Sequence, residues 1–434
     1  MNLKEVLKVR RQLESFLALY KENIGRSDRM RQCGLYVSGL LLDGERKSIQ
    51  PMAARLPGAS EQNLQQFVNQ SPWGHEEVLK RLRRDMAAWG GDRAGVLVLD
   101  DTTLPKKGEA SVGVAPQYCG ALGKINNCQC VVSWHYAGRK GHWPVAAELY
   151  LPEVWRRGEK AEAAGVPKDR RRVGTKWELA LRLLTEIGPD GPHRAVVFDA
   201  WYGESKEFRA ELDRRGERFV GAIPRNQAFW SAKVRTERRE NTVGRPRQFA
   251  VVADGRVKPR TAEEWGREGT WTKVRLKTAD RTTVLAKAIR VRETDHRHWR
   301  RPEAERWLVI EKESSGRMNY YVSNFPEKAT LKEMALTVHE RWKVEQGYQR
   351  LKEELGLDHF EGRSWRGLHH HITLCFLAYV FLLKTGRALK KTGLRSRSFG
   401  GGSTESYPPD GVLAAEPGPG QATGPSLELA AAAA

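Results

Sequence analysis

The sequence lacks the marks of a secreted, disulfide-linked or zinc-ribbon protein. Only five of its 434 residues are cysteines, and none of these has the CxxC spacing of a zinc ribbon. A disulfide framework needs more cysteines in a shorter chain, so the few that are present fit a reducing compartment. No apolar segment follows the start, where MNLKEVLKVRRQLESF is charged and helical in pattern, so no secretory signal is predicted.

The sequence also lacks an apolar run long enough to cross a membrane. The most apolar segment, Ile372–Leu383, has about twelve residues, whereas a spanning helix needs about twenty. We therefore expect a buried helix at this position, no membrane partner, and a soluble protein of the cytoplasm.

Acidic residues are scarce relative to basic ones. Lysine and arginine together number 74 and aspartate and glutamate 53, so the formal charge is 74 − 53 = +21. An excess of this size favours a polyanionic partner, because released counterions drive binding to phosphate backbones. Charge alone does not identify that partner, since some soluble proteins are merely basic.

Residues 1–90 are predicted to form an all-helical N-terminal domain. Short helical patterns follow one another, and Ser60 is a suitable N-cap for one of them. Arg46, Lys47 and Arg55 lie beside a polar face and would suit a helix-turn-helix that contacts DNA. That polar face carries Gln62, Gln65 and Gln66. A plain helical bundle is the alternative, and the pattern does not separate the two.

Two apolar runs each end in aspartate. Val96–Leu99 is followed by Asp100 and Asp101, and Ala195–Phe198 is followed by Asp199. Continuous apolar strands are typical of the centre of an α/β sheet, which keeps its functional sites at the carboxyl ends of the strands. Asp100 and Asp101 should point to opposite faces of their strand, so only one of them can join a site. Taken singly, each aspartate is also a common turn or cap residue.

The remaining pattern predicts one α/β catalytic domain, built from residues 91–216 and 326–385. Further strands are predicted at QCVVSWHYA and WPVAAELYL, and a helix over Lys176–Ile187. Residues 217–325 are β-rich and are interpreted as an insertion, because the sheet before them and the helix after them need each other. Residues 386–434 are rich in Gly, Pro, Ser and Ala and are predicted to be a disordered tail.

Val338–Glu361 is predicted to be an amphipathic helix with two stripes of side chains. The core-facing stripe consists of Val344, Tyr348, Leu351 and Leu355. The neighbouring stripe consists of Arg341, Glu345 and Lys352, whose side chains should stack along one edge. Gly356 offers a natural end to the helix. By itself, the second stripe is better explained as a surface ladder of ion pairs.

Carboxylates without accompanying histidine or cysteine are the ligands of hard cations. Two strand-end aspartates and Glu345 would supply three such oxygen ligands, a set that suits Mg²⁺. Two Mg²⁺ ions activate a water or a 3′-hydroxyl group and stabilise the leaving oxygen in phosphodiester transfer. A strongly basic chain with that site predicts a nucleic-acid substrate.

Two other groups of residues have rival interpretations. Adjacent residues of a helix face different directions, so one ion is not expected to bind the run His369, His370 and His371. An indole near a catalytic or basic stretch is able to stack on an unpaired base, although core packing is the simpler explanation. The tryptophans in such positions are Trp201, Trp299 and Trp342.

Three stretches, in order, resemble DDE-type insertion-sequence transposases. VLVLDDTTLPKKG, followed by SVGVAPQYCGALGKINNCQ, resembles the first-aspartate region of that family, and FDAWYG resembles the second-aspartate motif. Val338-x2-Arg341-x3-Glu345-x6-Lys352 is similar to the Y-x2-R-x3-E-x6-K signature of the branch related to insertion sequence 4 and insertion sequence 701, with valine in place of tyrosine. With the following GLDHFEGRSWRGLHHHITL, the resemblance covers roughly residues 15–385.

The resemblance implies an RNase H-like catalytic domain, interrupted by the β-rich insertion and preceded by the helical N-terminal domain. Asp101, Asp199 and Glu345 would be the catalytic, metal-binding triad, with Mg²⁺ or its substitute Mn²⁺. Asp101 is preferred to Asp100 because the family motif reads Asp-Thr. Signature residues Arg341 and Lys352 would contact DNA, and Tyr348 is included with them as a DNA-binding candidate although it lies on the core-facing stripe.

The implied activity is that of a transposase. It would bind terminal inverted repeats as a homodimer in a synaptic complex, cleave the element ends, and transfer the 3′-hydroxyl to target DNA, in the cytoplasm and associated with the nucleoid. Two alternatives stay open: an inactive copy that only binds DNA and represses transposition, and a general RNase H-like nuclease. Val338 and the unusual tail motivate the first of these.

Overall fold

The computed structural model describes residues 3–238, 249–276, 283–295, 298 and 300–391. Within this part of the chain, residues up to 391 belong to one compact unit. The tail prediction is corrected over residues 386–391, which continue a helix, and from residue 392 it lies outside the described residues. Trp299 also lies outside them.

The first ninety residues contain helices throughout, in the part that the structure describes. They are α1 Leu3–Ala18, α2 Lys21–Ile24, α3 Ser27–Leu41, α4 Ile49–Arg55, α5 Glu61–Asn69 and α6 His75–Gly90. Ser60 caps α5, as predicted, because its side chain accepts a hydrogen bond from the backbone N–H of Asn63. These helices share one hydrophobic core with the rest of the chain, and whether they form a separate domain stays a prediction.

Strands and helices alternate in the next part of the chain. The strands are β1 Val96–Pro105, β2 Ala115–Cys119, β3 Lys124–Gly138, β4 Gly141–Tyr150, β5 Ala195–Phe198 and β6 Phe219–Ala222. The helices are α7 Glu159–Ala163, α8 Lys176–Ile187, α9 Ala200–Glu204 and α10 Lys206–Arg214. Short 3-10 helices lie at Glu153–Trp155, Arg170–Arg172 and Gly188–Asp190. The predicted bounds of α8 and β5 are confirmed. The predicted end of the first strand at Leu99 is wrong, because β1 continues to Pro105 and includes Asp100 and Asp101.

The remaining elements run from residue 228 to residue 391. The strands are β7 Ala228–Ser231, β8 Thr236–Glu237, β9 Val251–Val252, β10 Arg260–Thr261, β11 Thr272–Arg275, β12 Thr283–Thr294, β13 Pro302–Lys312 and β14 Met318–Ser323. The helices are α11 Ala262–Gly266, α12 Leu331–His339, α13 Arg341–Glu353 and α14 Trp365–Lys391.

Twelve of the described strands join one mixed sheet. Its main path runs β10-β7-β12-β13-β14-β6-β5-β1-β3-β2, with β11 beside β12 and β4 beside β3. At its centre, β1, β5 and β6 are parallel, and β1 and β3 are antiparallel. The register pairs Val98 of β1 with Val197 of β5, so the aspartates that follow reach the same edge of the sheet. The mixed α/β class predicted from the sequence is confirmed.

The predicted insertion over residues 217–325 is β-rich, and apart from the separate two-stranded pair of β8 and β9 its described strands join the main sheet. Its first strand, β6, pairs with β5, and its last strand, β14, pairs with β6. A buried ion-pair network also links it to α10, since the fully buried Arg209 contacts Glu293 of β12 at 3.1 Å. Glu293 in turn contacts Arg306 of β13 at 2.8 Å. The segment therefore extends the central sheet, and its status as an insertion stays a prediction.

The helix predicted over Val338–Glu361 is two helices. Val338 lies in the last turn of α12, which ends at His339, and a break at Glu340 precedes α13. At the break, the N–H of Lys343 bonds the carbonyl of Glu340 at 3.3 Å, a tighter turn than the helical i→i−4 pattern. The stop is confirmed at Gly356, whose φ of +64° is in the left-handed region that glycine adopts freely.

The apolar segment near residue 372 lies in α14, which packs against α3, α5, α6 and β4. Residues 365–386 of this helix are long and apolar enough to cross a membrane, but 83% of their apolar window is buried inside the protein. This burial confirms the prediction of a core helix.

The three adjacent histidines of α14 are part of this core, and each faces a different neighbour. His369 accepts a hydrogen bond from the N–H of Leu149, and His371 contacts the hydroxyl of Tyr36. The ring of His370 stacks on Trp73, with centroids 3.6 Å apart. The three imidazole rings therefore face three different parts of the core.

Candidate active site

Asp199 ends β5 and begins α9. Its Oδ1 accepts the N–H of Tyr202 at 3.2 Å, so the carboxylate caps the helix. The FDAWYG turn is tight because a Cβ at Gly203 would lie 1.7 Å from the carbonyl oxygen of Ala222 in β6. Burial raises the pKa of Asp199, Arg341 opposes that shift, and the charge of Asp101 adds to it. Asp199 is thus held at the carboxyl edge of the sheet, within electrostatic reach of Asp101.

Asp101 is bonded to a lysine that the sequence reading did not single out. The ammonium of Lys176 lies 2.6 Å from Asp101 Oδ2, and the thiol of Cys130 donates to the same oxygen at 3.3 Å. Lys176 is the first residue of α8, and a capping box between Thr175 and Glu178 fixes the helix end. Asp101 therefore faces α8.

Asp100 points to the opposite face of β1, as predicted. In the register it pairs with Ser133, whose hydroxyl contacts the hydroxyl of Tyr348 in α13. Asp100 is buried, and burial raises its pKa to about 8. Arg341 opposes this shift, whereas the charges of Asp199, Asp101 and Glu345 add to it. The aspartate that lies on the α13 side is therefore Asp100.

Glu345 lies on the exposed side of α13. It forms an ion pair with Arg341 one turn earlier, at 3.6 Å, and 52% of its side chain is exposed. The stripe predicted from the spacing therefore exists for these two residues. Its third member, Lys352, turns away from solvent and donates to the carbonyl of Thr103 in β1 at 3.1 Å.

Tyr348 does not lie where DNA would meet it. Only 7% of the residue is exposed, and its hydroxyl contacts Ser133 in the core. Burial raises its pKa well above the usual range for tyrosine. Its predicted position on the core-facing stripe is confirmed, so we do not retain Tyr348 as a DNA-binding candidate.

Tyr202 brings a buried hydroxyl to the same region. The residue is fully buried, and within the described ranges its hydroxyl has no hydrogen-bond partner. Burial raises its pKa, and the charges of Asp101, Cys130, Asp199 and Asp100 add to that shift. A buried hydroxyl without a partner is costly, and in native sites a water or ion commonly satisfies it.

The donor chemistry of this edge fits a divalent cation, but its present arrangement does not. Carboxylates that raise one another's pKa, beside an unsatisfied hydroxyl, form an environment that a hard cation would stabilise. However, no group of three or more His, Cys, Asp or Glu side chains in the described part of the chain is placed to hold a metal. Asp101 and Glu345 are each paired with a basic side chain instead.

The basic residues predicted to contact DNA from the N-terminal helices are engaged internally. Lys47 is buried, and its ammonium bonds the carbonyls of Leu40, at 2.9 Å, and Leu42. Arg46 pairs with Glu361 at 2.5 Å, and Arg55 bonds the carbonyl of Arg46. The prediction is therefore wrong for Lys47, because its side chain cannot reach a ligand.

A different basic cavity lies between α3 and α5, with a volume of about 630 Å³. Its polar lining includes Arg26, Arg29, Arg31, Gln66 and Gln70. Trp201 and Trp342 also lie at the surface, 43% and 46% exposed. Of these residues, only Gln66, Trp201 and Trp342 were singled out from the sequence.

Comparison with known proteins identifies the family of the chain. The model of the family described as DDE superfamily endonuclease matches residues 19–283, which is more than half of the chain. The chain belongs to this family. It is also 31% identical, over 192 residues, to a probable transposase for insertion sequence element IS701 from Microchaete diplosiphon. That alignment covers 43% of this chain and 47% of the relative, so the chain spans about half the length of the relative it matches.

One solved structure, the NurA nuclease from Sulfolobus solfataricus, aligns with 73% of this DDE-family chain and 92% of its own. The sequence identity is 9% and the TM-score 0.24, too low to carry an argument about fold or function.

Proposed function

We propose that this DDE-family protein is an insertion-sequence transposase, which cleaves the ends of its element and joins the freed 3′-hydroxyl to target DNA. The observation that carries the proposal is that the aspartates of β1 and Asp199 after β5 lie side by side in the central sheet, against which α13 packs with Glu345 and Arg341, in a chain of charge +21. The similarity to a probable insertion-sequence transposase supports it.

The catalytic domain is proposed to be RNase H-like, with Asp101, Asp199 and Glu345 as the metal-binding triad. Asp199 directly follows β5, Asp101 lies within the neighbouring parallel strand β1, and α13 packs against β1 and β3. Members of DDE families generally use divalent cations, and Mg²⁺ is the expected ion, with Mn²⁺ as its substitute. A bound ion would activate the attacking hydroxyl or water. Asp100, buried and on the α13 side, is proposed to position the neighbouring groups rather than to bind the ion.

DNA is proposed to reach this edge across two basic surfaces. Arg341 lies beside Glu345, so a phosphate at the reacting bond would meet its guanidinium. Lys352 bonds Thr103 in the present structure, so its contact with DNA requires that bond to break. The cavity of Arg26, Arg29 and Arg31 is proposed as the second surface, which contacts the terminal repeat. Two ends would be held together by a homodimer in a synaptic complex, in the cytoplasm at the nucleoid.

The test is cleavage of labelled duplex DNA that carries the element end, with Mg²⁺. Asp101→Asn, Asp199→Asn and Glu345→Gln should each lower the cleavage rate at least about 100-fold, because each removes a charge that the ion needs. Asn also preserves the cap that Asp199 provides for α9. Glu353→Gln is the matched control: it lies on the same helix, contacts Gln349, and should cleave normally. Normal cleavage by all three site variants would refute the proposal.

An inactive, DNA-binding copy is the second candidate, favoured by Val338. This residue stands where the signature has tyrosine, and it is buried in a cluster with Ala195, Val220 and Met334. Such a copy would bind element ends in a salt-sensitive way but cleave no strand with either Mg²⁺ or Mn²⁺. A general nuclease is distinguished in the same assay, since it would cut DNA that lacks the repeats equally well.

A further inference from the structure

The ion pair between Lys176 and Asp101 occupies a carboxylate that the proposed function assigns to a metal ion. We infer that Lys176 is a tethered cation, which keeps Asp101 from coordinating a divalent ion until DNA draws the lysine away. The inference rests on the proposed function, because it concerns the same carboxylates. It adds a residue, and a control step before metal binding, that the triad alone does not include.

The geometry at Asp101 carries the inference. Its Oδ2 already accepts two hydrogen bonds, from the ammonium at 2.6 Å and from the Cys130 thiol at 3.3 Å. Only 19% of the Lys176 side chain and 23% of the Asp101 side chain are exposed, so solvent screens the pair weakly. A divalent ion at this oxygen would lie close to the ammonium, and two like charges at that separation repel strongly. The ammonium and the ion therefore compete for this oxygen.

A second observation shows that the site is incomplete in this state. Tyr202, whose N–H donates to Asp199, has a buried hydroxyl without a hydrogen-bond partner in the described ranges. The lysine therefore neutralises Asp101 without satisfying the rest of the site. A hydrated divalent ion carries bound water, which is able to accept or donate the missing hydrogen bond.

The surroundings of Lys176 show how DNA would release it. The ammonium lies 5.0 Å from the centre of the Trp201 ring, which is 43% exposed, so it is close to the surface. The backbone of Lys176 is fixed by the capping box, but its side chain has four rotatable bonds and is able to swing toward a phosphate. A backbone phosphate is thus a competing anion for the ammonium. The ion pair of Lys176 and Asp101 would thus prevent the protein from activating water before its DNA substrate is bound.

The test measures binding of Mn²⁺ alone to the intact protein, by the loss of the free Mn²⁺ signal in electron paramagnetic resonance. Lys176→Met removes the charge and keeps the length of the side chain. It should bind Mn²⁺ at least about tenfold more tightly than the wild type, because one charge at this range changes ionic equilibria by about tenfold or more. Lys176→Arg retains the cation and should bind like the wild type.

Lys160→Met is the control, since that ammonium also lies over a tryptophan ring, Trp155 at 4.4 Å, but belongs to α7. It should leave Mn²⁺ affinity unchanged. The affinity gained by Lys176→Met should disappear when Asp199→Asn is added, which places the ion at this site. A short DNA duplex should raise the Mn²⁺ affinity of the wild type and have a much smaller effect on Lys176→Met.

The outcomes separate the two proposals. Equal Mn²⁺ affinity in the wild type and Lys176→Met would overturn the tethered-cation inference and leave the metal site standing. Absence of Mn²⁺ binding by both proteins, with and without DNA, would overturn the metal site as well. If the substituted proteins do not fold, lysine acetylation mapped by mass spectrometry decides with the wild type. Saturating Mn²⁺ without DNA should displace the ammonium from Asp101 and speed acetylation of Lys176 but not of Lys160, and an unchanged ratio would refute the inference.

Discussion

Asp100 and Asp101 are neighbours in β1 but belong to opposite faces of the sheet. Asp100 is buried on the α13 side, whereas Asp101 bonds Lys176 at the start of α8. The two carboxyls therefore have different electrostatic environments, although they belong to adjacent residues of the same type.

The first prediction separates them by the pH dependence of stability. The folded pKa of Asp100, about 8, lies above its usual value of 3.8, so the folded state holds this proton more tightly. Stability from this group is complete below pH 3.8 and is lost as the pH rises toward 8. In the wild type, ionisation of Asp100 should lower the free energy of unfolding by about 1 kcal/mol per pH unit between pH 5 and 7. Asp100→Asn should abolish this dependence in urea unfolding experiments.

Asp101→Asn is the matched comparison for that experiment. It leaves the partly buried Lys176 ammonium without its counter-charge and should lower the free energy of unfolding at pH 7 by about 1–2 kcal/mol. Identical pH profiles for the wild type and Asp100→Asn would contradict the assignment of Asp100 to the buried face.

The second prediction concerns acid destabilisation by the core histidines. Burial lowers the folded pKa of His369 and His371 to about 4 each, from 6.5. The unfolded chain takes up their protons first, so stability is complete above pH 6.5 and falls as the pH drops toward 4. Each histidine should lower the free energy of unfolding by about 1 kcal/mol when the pH falls from 7 to 5.5. His371→Gln should reduce this slope in thermal unfolding, and a slope equal to that of the wild type would count against it.

The third prediction tests the buried link between α10 and the β-rich segment. Glu293 is the anion shared by Arg209 and Arg306, which are 0% and 6% exposed at their side chains. Glu293→Gln removes the negative charge that the two buried guanidinium groups share and should lower the free energy of unfolding by about 3–5 kcal/mol. Glu305→Gln, at an exposed ion pair on β13, should change it by less than about 1 kcal/mol. Similar effects from both substitutions in urea titrations would argue against a structural role for the network.

The fourth prediction concerns Tyr348. Tyr348→Phe removes the hydroxyl that contacts Ser133 and should lower the free energy of unfolding by about 1–2 kcal/mol. Because the ring is buried, DNA affinity measured by fluorescence anisotropy should stay within about twofold of the wild type. Arg341→Gln should weaken the same binding clearly, since it removes a phosphate contact. A large loss of DNA affinity in Tyr348→Phe would return this residue to the DNA-binding set.

Local patterns were enough to predict the strands and helices around the site. Apolar runs gave β5 and the start of β1, and α8 was predicted at its observed bounds, because periodicity reports directly on burial. The polar residues from Asp100 onward hid the second half of β1, which is held by its pairing with β3. The position of Lys176 was also within reach of prediction. A helix that precedes a parallel strand runs antiparallel to it, so the start of α8 must lie near the carboxyl ends of β5 and β1.

Other features depended on tertiary contacts that no local pattern encodes. The break at Glu340 leaves the spacing of Arg341 and Glu345 intact, so periodicity could not show it. Lys47 looked like a surface residue because lysine is rarely buried, yet the carbonyl groups at the end of α3 hold its ammonium. The choice of face for Asp100 and Asp101 depended on which helix covers each side of β1, which spacing alone does not give.

The burial of Lys47 has a consequence for how such a protein would find its cutting point. The N–H of Lys47 donates to His359 at 3.0 Å, and a Cβ at Gly356 would lie 2.4 Å from the Lys47 Cβ. The N-terminal helices are thus fixed directly to the chain that follows α13, without a flexible linker. If those helices bind the terminal repeat and Glu345 takes part in cleavage, the distance between the bound repeat and the cleavage site is fixed by the protein. The number of base pairs between them would then depend on the packing of Lys47 against His359 and Gly356.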